Sequence, residues 1–243
     1  TTTITPSLRY LHFWNSMSGS TGAWTGTIDD VEFYNGVTTV EPASTKVKQH
    51  FIEWFSGKQL PSYWTQTQVN IPATFAMSDT ADGGFRITAD GGANNEGMIN
   101  FNNKRQYEQT GSVFIGVMKD DTNTAITTYC GFANSLVGVD SDSPEIAQVY
   151  NPSVNTNKGL RTGDATTKST TEGSTALDTA WTSYKVENKT TDIELTVNGV
   201  KEIDKTTNRP TVKLQPVCGV FGNGKSVNIR YMECYNTWVF TIN

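Results

Sequence analysis

The sequence predicts an all-β fold, a sandwich of two antiparallel sheets, and three observations predict it. The composition favours strands: of 243 residues, 37 are Thr and only 8 are Leu. Thr, Val, Ile and the aromatics suit a pleated, half-buried surface, whereas Leu, Ala, Glu and Lys drive helices. Short apolar or alternating runs recur along the chain between clusters of Gly, Asn and Asp. One run ends on Asn198-Gly199, the dipeptide of a tight two-residue hairpin.

The same numbers exclude other classes. The net charge is −5, with no Lys/Arg run, so nucleic acid is not an expected partner. No stretch approaches 18 apolar residues, so membrane insertion by a helix is not expected. Aromatics make up 11% and are spread along the chain, which argues against disorder. The N-terminal Thr-Thr-Thr-Ile-Thr-Pro has neither Met nor a signal-peptide pattern and reads as a fragment, a processed product or a portion of something longer.

Taken in order, Ser44 to Phe55 is the one helical candidate, but its aromatic cluster also fits a strand. We read a linker through about Lys48, then a strand. Phe85 to Thr88 and Met98 to Phe101 are strand candidates. Ser112 to Met118 is nearly all apolar, as expected of a strand buried on both faces, and ends in the turn-forming Lys119-Asp120-Asp121-Thr122-Asn123. Ile146 to Tyr150 follows. Residues 152–180 are rich in Thr, Ser, Gly, Asn and Asp and read as a surface excursion with one short strand near Gly159 to Thr162. Ser183 to Glu187 alternates, with Tyr184 and Val186 on one face; Ile193 to Val197 alternates again. Val217 to Phe221 is the last of these candidates.

Thr27 to Gly36 parallels Asn228 to Thr237 at an offset of 201 residues. Ile28, Val31 and Phe33 match Ile229, Met232 and Cys234 in spacing, and alternation breaks at the same point in both copies, as a bulge would break it. Phe13-Trp14-Asn15 and Phe221-Gly222-Asn223 precede them. The chain therefore divides into four parts. Residues 1–36 are the closing strands of a preceding domain or an appended hairpin. Residues 37–48 are a linker, 49–237 a complete sandwich and 238–243 a tail. Residues 7–36 are expected to pack on a neighbouring domain or subunit.

Of the three cysteines, Cys130, Cys218 and Cys234, none forms a C-x-x-C pair, so no zinc or redox motif is present. Buried thiols are the first reading; Cys218 and Cys234 facing across a hairpin is the other.

Trp181-Thr182-Ser183-Tyr184-Lys185-Val186-Glu187, followed by Ile193 to Val200 with Asn198-Gly199, resembles the signature of laminin-G-like and concanavalin A-like domains. Ile28-Asp29-Asp30-Val31-Glu32-Phe33-Tyr34-Asn35 resembles their closing strand, and Phe55-Ser56-Gly57 with Leu60 and Trp64 their opening strand. The resemblance implies a concanavalin A-like jelly roll, of the kind found in viral, phage or surface structural proteins. Trp64, Trp181 and Tyr184 then have the size to fill the gap of about 10 Å between two sheets.

The resemblance includes glycosidases and polysaccharide lyases, so their acids and bases were sought. No E-x-D-x-x-E run exists; Glu202-Ile203-Asp204 has Thr207 where the second Glu is needed. Gln148-Val149-Tyr150 lacks the His of a Gln-x-His motif, and the two histidines, His12 and His50, lie outside any triad or metal spacing. An enzyme is not expected. Calcium is the cofactor the resemblance allows, with Asp79, Asp82, Asp120 and Asp121 as candidate ligands and Asp140 and Asp142 as further acids. Trp24, Tyr150 and Asn151 are the candidate ligand-binding residues; Trp24, set between glycines, has the form of a loop aromatic that stacks on a sugar ring. Asn188-Lys189-Thr190 is a glycosylation sequon by form, placed in a turn.

Two functions follow as expectations. One is a non-catalytic module of a larger extracellular, cell-surface or virion-surface protein, recognising glycans or a surface. The other is a structural subunit of a virion, fibre or surface layer assembled through the N-terminal strands.

Overall fold

The computed structural model describes residues 50–56, 59–70, 72–77, 83–90, 95–124, 126–135, 145–152, 154–222 and 224–237. They fall within the compact unit Lys48–Asn243. The repeat copy at 27–36, Trp24, Asp79, Asp82, Asp140 and Asp142 lie outside the described residues, as do all of residues 1–36, the linker 37–48 and the tail 238–243.

No helix occurs among the described residues, and the strands form two antiparallel sheets. In chain order the strands are β1 (His50–Trp54), β2 (Thr65–Val69), β3 (Ala73–Met77), β4 (Phe85–Ala89), β5 (Glu96–Asn100), β6 (Ser112–Asp120), β7 (Thr127–Ala133), β8 (Ile146–Pro152), β9 (Asn157–Gly163), β10 (Lys168–Ala176), β11 (Thr182–Asn188), β12 (Ile193–Val197), β13 (Val200–Lys205), β14 (Gln215–Phe221) and β15 (Lys225–Asn236). The eight-stranded sheet runs β13-β12-β11-β6-β15-β4-β3, with β1 on β15 beside β4. The seven-stranded sheet runs β10-β9-β8-β7-β14-β5-β2.

Alternation decides what lies between the sheets. Ile87, Phe114, Met118, Val186, Leu195 and Met232 project from the eight-stranded sheet, and Ile99, Cys130, Phe132, Val149, Leu160 and Val220 from the other. All are buried, and their interdigitation is the main stabilising term. At one end Phe51, Trp64 and Phe101 close on each other with ring centroids 4.8–5.5 Å apart.

Two sequence signals act as expected. Asn198 and Gly199 both take positive φ, 50° and 81°, which is the geometry a two-residue turn needs between right-twisted strands. The pairing of β15 with β6 slips between Ile229 and Tyr231, so a bulge sits at the predicted phase break. Ile229, Met232 and Cys234 consequently all face the core.

Five expectations are corrected. Residues 152–180 hold two strands, β9 and β10, paired as a hairpin at the edge of the seven-stranded sheet; Thr and Ser serve as edge-strand residues there, so their polarity did not mark a loop. The strand at 112 runs on through Lys119 to Asp120 and is buried throughout on one face only; on the other Val113 is buried while Ile115 and Val117 are half-buried. The disulfide joins Cys130 to Cys218, register partners on β7 and β14, and Cys234 is a free buried thiol; Cys234 lies in the other sheet, so a hairpin with Cys218 does not form. Trp181 is not between the sheets: it is only half-buried, with Arg230 4.3 Å and Lys119 5.3 Å from its ring, where two cations gain from the ring quadrupole. Asn188 ends β11 fully buried and its amide donates to Ser112 at 2.7 Å, so the sequon is closed to a glycan.

Candidate ligand-binding face

The candidate residues separate in space. Tyr150 and Asn151 are consecutive on β8 and therefore point to opposite faces. Asn151 points between the sheets, donating to the Tyr184 hydroxyl (3.2 Å) and accepting from the Gly159 N–H (3.3 Å). It braces the core and is closed to a ligand. Tyr150 lies on the outer face of the seven-stranded sheet, with the Arg161 guanidinium 4.2 Å from its ring. It belongs to a second apolar cluster with Met98, Tyr129, Ala133, Ile146 and Val217. The Tyr129 hydroxyl donates to Glu96 there, and Gln148 is buried with both amide atoms unpartnered. The outward positions of β8 are Ile146, Gln148 and Tyr150, none of them acidic.

Asp120 and Asp121 do not converge on a calcium site. Asp120 is buried at the end of β6, while Asp121 lies 3.7 Å from Arg86. Adjacent strand-end residues alternate, so the pair cannot present both carboxylates to one ion. Another acid group, Asp192, Glu194 and Asp204, has carboxylate oxygens within 4.8 Å of one another. Two lysines already hold two of its three carboxylates: Lys189 and Lys201 reach Glu194 at 2.5 and 3.3 Å, and Lys201 reaches Asp204 at 2.6 Å. The bond from Lys189 holds Glu194 below the usual carboxylate range. Glu202 is pulled to about 2 by hydrogen bonds from Ser174 and Thr175, which fix it as a clamp between β13 and β10.

An exposed aromatic face has formed elsewhere. On β1, Phe51 packs against the core, so His50, Ile52 and Trp54 point outward. On β15 the bulge resets the phase, and Tyr231, Glu233 and Tyr235 point outward beside them, in register Trp54↔Tyr231, Ile52↔Glu233 and His50↔Tyr235. Trp54 is 63% exposed and Ile52 48% exposed. The Trp54 and Tyr231 rings are 4.4 Å apart, and His50 meets Tyr235 edge-on at 5.7 Å. Between the rings, Glu233 accepts from the Tyr231 hydroxyl (2.6 Å) and contacts His50 Nε2 (2.9 Å). Burial and that carboxylate push the Tyr231 phenol up, so it stays protonated and donating. Ile115 and Val117 of β6 extend the face, and Lys185, paired with Glu187 at 2.7 Å, bounds it.

This arrangement offers a flat apolar platform, a carboxylate acceptor and an imidazole side by side. Its residues carried no site role in the sequence reading. The signal was present in His-x-Ile-x-Trp and Tyr-x-Glu-x-Tyr, but neither triplet has meaning until the bulge brings them to one face.

Comparison with known proteins gives the fold. No family model matches the sequence and no curated protein matches it. Solved structures do match. The carbohydrate recognition domain of Emp47p superposes with a TM-score of 0.53 at 11% identity, over 78% of this chain and 95% of that one. A Bacillus licheniformis β-glucanase gives 0.53 at 13% identity, over 78% and 98%. The globular domain of Trypanosoma cruzi (T. cruzi) calreticulin gives 0.55 at 10%, over 77% and 88%.

Proposed function

We propose that this concanavalin A-like sandwich is a non-catalytic carbohydrate-recognition module and that it holds a saccharide on the outer face of the eight-stranded sheet. The observation that carries the reading is the exposed Trp54 ring against Tyr231, with Glu233 held between Tyr231 and His50. An exposed indole stacks on the C–H face of a pyranose, and the fixed carboxylate and imidazole bond its hydroxyls. One further point supports it. The fold is shared with a carbohydrate recognition domain as well as with a glucanase. The Cys130–Cys218 disulfide favours an oxidising setting, in keeping with a module of a larger extracellular or virion-surface protein.

Binding to a glycan array, followed by titration calorimetry with the best oligosaccharide, tests the reading. Stacking that removes roughly 60 Å² of apolar surface from water is worth about 1.5 kcal/mol, so Trp54→Ala weakens binding by about tenfold or more. Unchanged binding in Trp54→Ala and Glu233→Gln refutes this location. No binding to any glycan refutes the function.

A further inference from the structure

The aromatic face of β1 and β15 has a length and a polarity, and together they narrow what it can hold. Trp54 with Tyr231 and His50 with Tyr235 are register pairs, four residues apart along each strand. Strand rise sets the two pairs about 13 Å apart, whereas one pyranose in a chain advances by about 5 Å. The face thus has two aromatic stations. The rings are 4.4 Å apart at the first and 5.7 Å apart at the second. Ile52 and Glu233 lie between them. β1 pairs with β15 alone among the described strands, and on the other side, beyond β6, Lys185 and Glu187 of β11 bound the strip. Its long direction therefore runs with the strands.

The centre of the strip accepts hydrogen bonds rather than donating them. Glu233 accepts from the Tyr231 hydroxyl on one oxygen and meets His50 Nε2 on the other. A carboxylate has lone pairs left for further donors after two such bonds. The bond to Glu233 uses the His50 Nε2–H, so the neutral imidazole keeps Nδ1 as another acceptor. The cations nearby are engaged: Lys185 pairs with Glu187 at 2.7 Å, and Arg230 and Lys119, past the Trp54 end, sit on the Trp181 ring. Sugar hydroxyls and amino groups are donors and match this centre. A uronate or a sulfate brings acceptor-only oxygens against a fixed carboxylate and is repelled.

We infer that the ligand is an extended, non-acidic oligosaccharide of at least three units lying along β1 and β15, an inference that rests on the saccharide reading proposed above. Its end units stack at the two stations and a middle unit donates its hydroxyls to Glu233. A disaccharide reaches one station only, so the second stacking contact is gained between two and four units. Because both contacts then belong to one molecule, the second is made without a further loss of overall freedom.

The test is titration calorimetry of the whole chain with β-1,4-linked and β-1,3-linked glucose oligomers of one to six units and with a β-1,4-linked mannuronate hexamer. In at least one glucose series the affinity is expected to climb about tenfold or more between two and four units and then to level, with the mannuronate about tenfold weaker than the glucose hexamer. Tyr235→Ala weakens binding of the hexamer by about fivefold and leaves the dimer unchanged, whereas Trp54→Ala weakens both. If Tyr235→Ala does not fold, the length series on the wild type decides. Equal affinity for dimer and hexamer, or tighter binding of the mannuronate, overturns this inference and leaves the saccharide reading standing. If none of these oligomers binds, the inference falls, and a glycan array without a hit then removes the saccharide reading with it.

Discussion

Breaking the Cys130–Cys218 disulfide tests how the seven-stranded sheet is stabilised. The two cysteines are 88 residues apart in sequence and face each other in register across β7 and β14. The closed loop contains β8 to β13, so it spans parts of both sheets. In the chain-entropy account, closing a loop of about 90 residues removes about 15 cal/mol/K from the unfolded state, or about 4.6 kcal/mol at 25 °C. In a domain of this size 1 kcal/mol moves the midpoint by about 2–4 °C, so losing the bond lowers Tm by about 10–18 °C. The assay is calorimetry and urea unfolding of Cys130→Ala/Cys218→Ala beside the oxidised and reduced wild type. Cys234→Ala, a change at the free thiol, serves as the control for volume lost at a buried cysteine. The reasoning is refuted if the double variant stays within about 1 kcal/mol of the oxidised protein, or if reduction destabilises the double variant as much as the wild type.

Two other outcomes follow from the structure. Gly131 has φ of 152°, and a Cβ there would stand 2.6 Å from the Ala147 carbonyl oxygen and 2.7 Å from Gln148 Cα, both backbone atoms of β8. Gly131→Ala therefore forces β7 and β8 apart and costs about 2–3 kcal/mol, readable as a drop in the urea midpoint. Glu202 is held near 2 by the Ser174 and Thr175 hydrogen bonds, so it supports the folded state above its ordinary 4.5 and loses that support as pH falls toward 2. Glu202→Gln therefore removes this acid-side slope by lowering stability above about pH 4.5, modestly because the group is close to solvent, and leaves it unchanged near pH 2; a circular-dichroism titration between pH 2 and 5 checks it.

The sandwich was legible wherever side chains alternate or turns demand special φ. Tyr184 and Val186, Asn198-Gly199 and the phase break before Met232 each specify local geometry by chemistry the chain carries in place. The β9–β10 hairpin was hidden because an edge strand exposed on one side tolerates Thr, Ser and Gly, which are also loop residues. Trp181 was misplaced for a related reason: size qualifies a residue for the core, but two flanking cations make an outer position equally satisfactory. The disulfide and the aromatic face were beyond a local reading. Cys130 meets Cys218, and Trp54 meets Tyr231, only through pairings of distant strands. Asn151 illustrates the limit at a single step, since one residue of register decides between a ligand face and the interior.

The last strand of the fold is also one of its central ones. β15 pairs with β6 along most of its length and with β4 and β1 on its other side, so three strands made earlier depend on it for their hydrogen bonds. During synthesis the eight-stranded sheet stays split, with Phe114 and Ile87 facing a gap, until residues 225–236 clear the ribosome. Folding of this sheet is then set by this one docking event. A chain stalled or cut before residue 225 leaves an open, apolar sheet edge rather than a smaller folded domain, and its fate in the cell is aggregation or capture by chaperones.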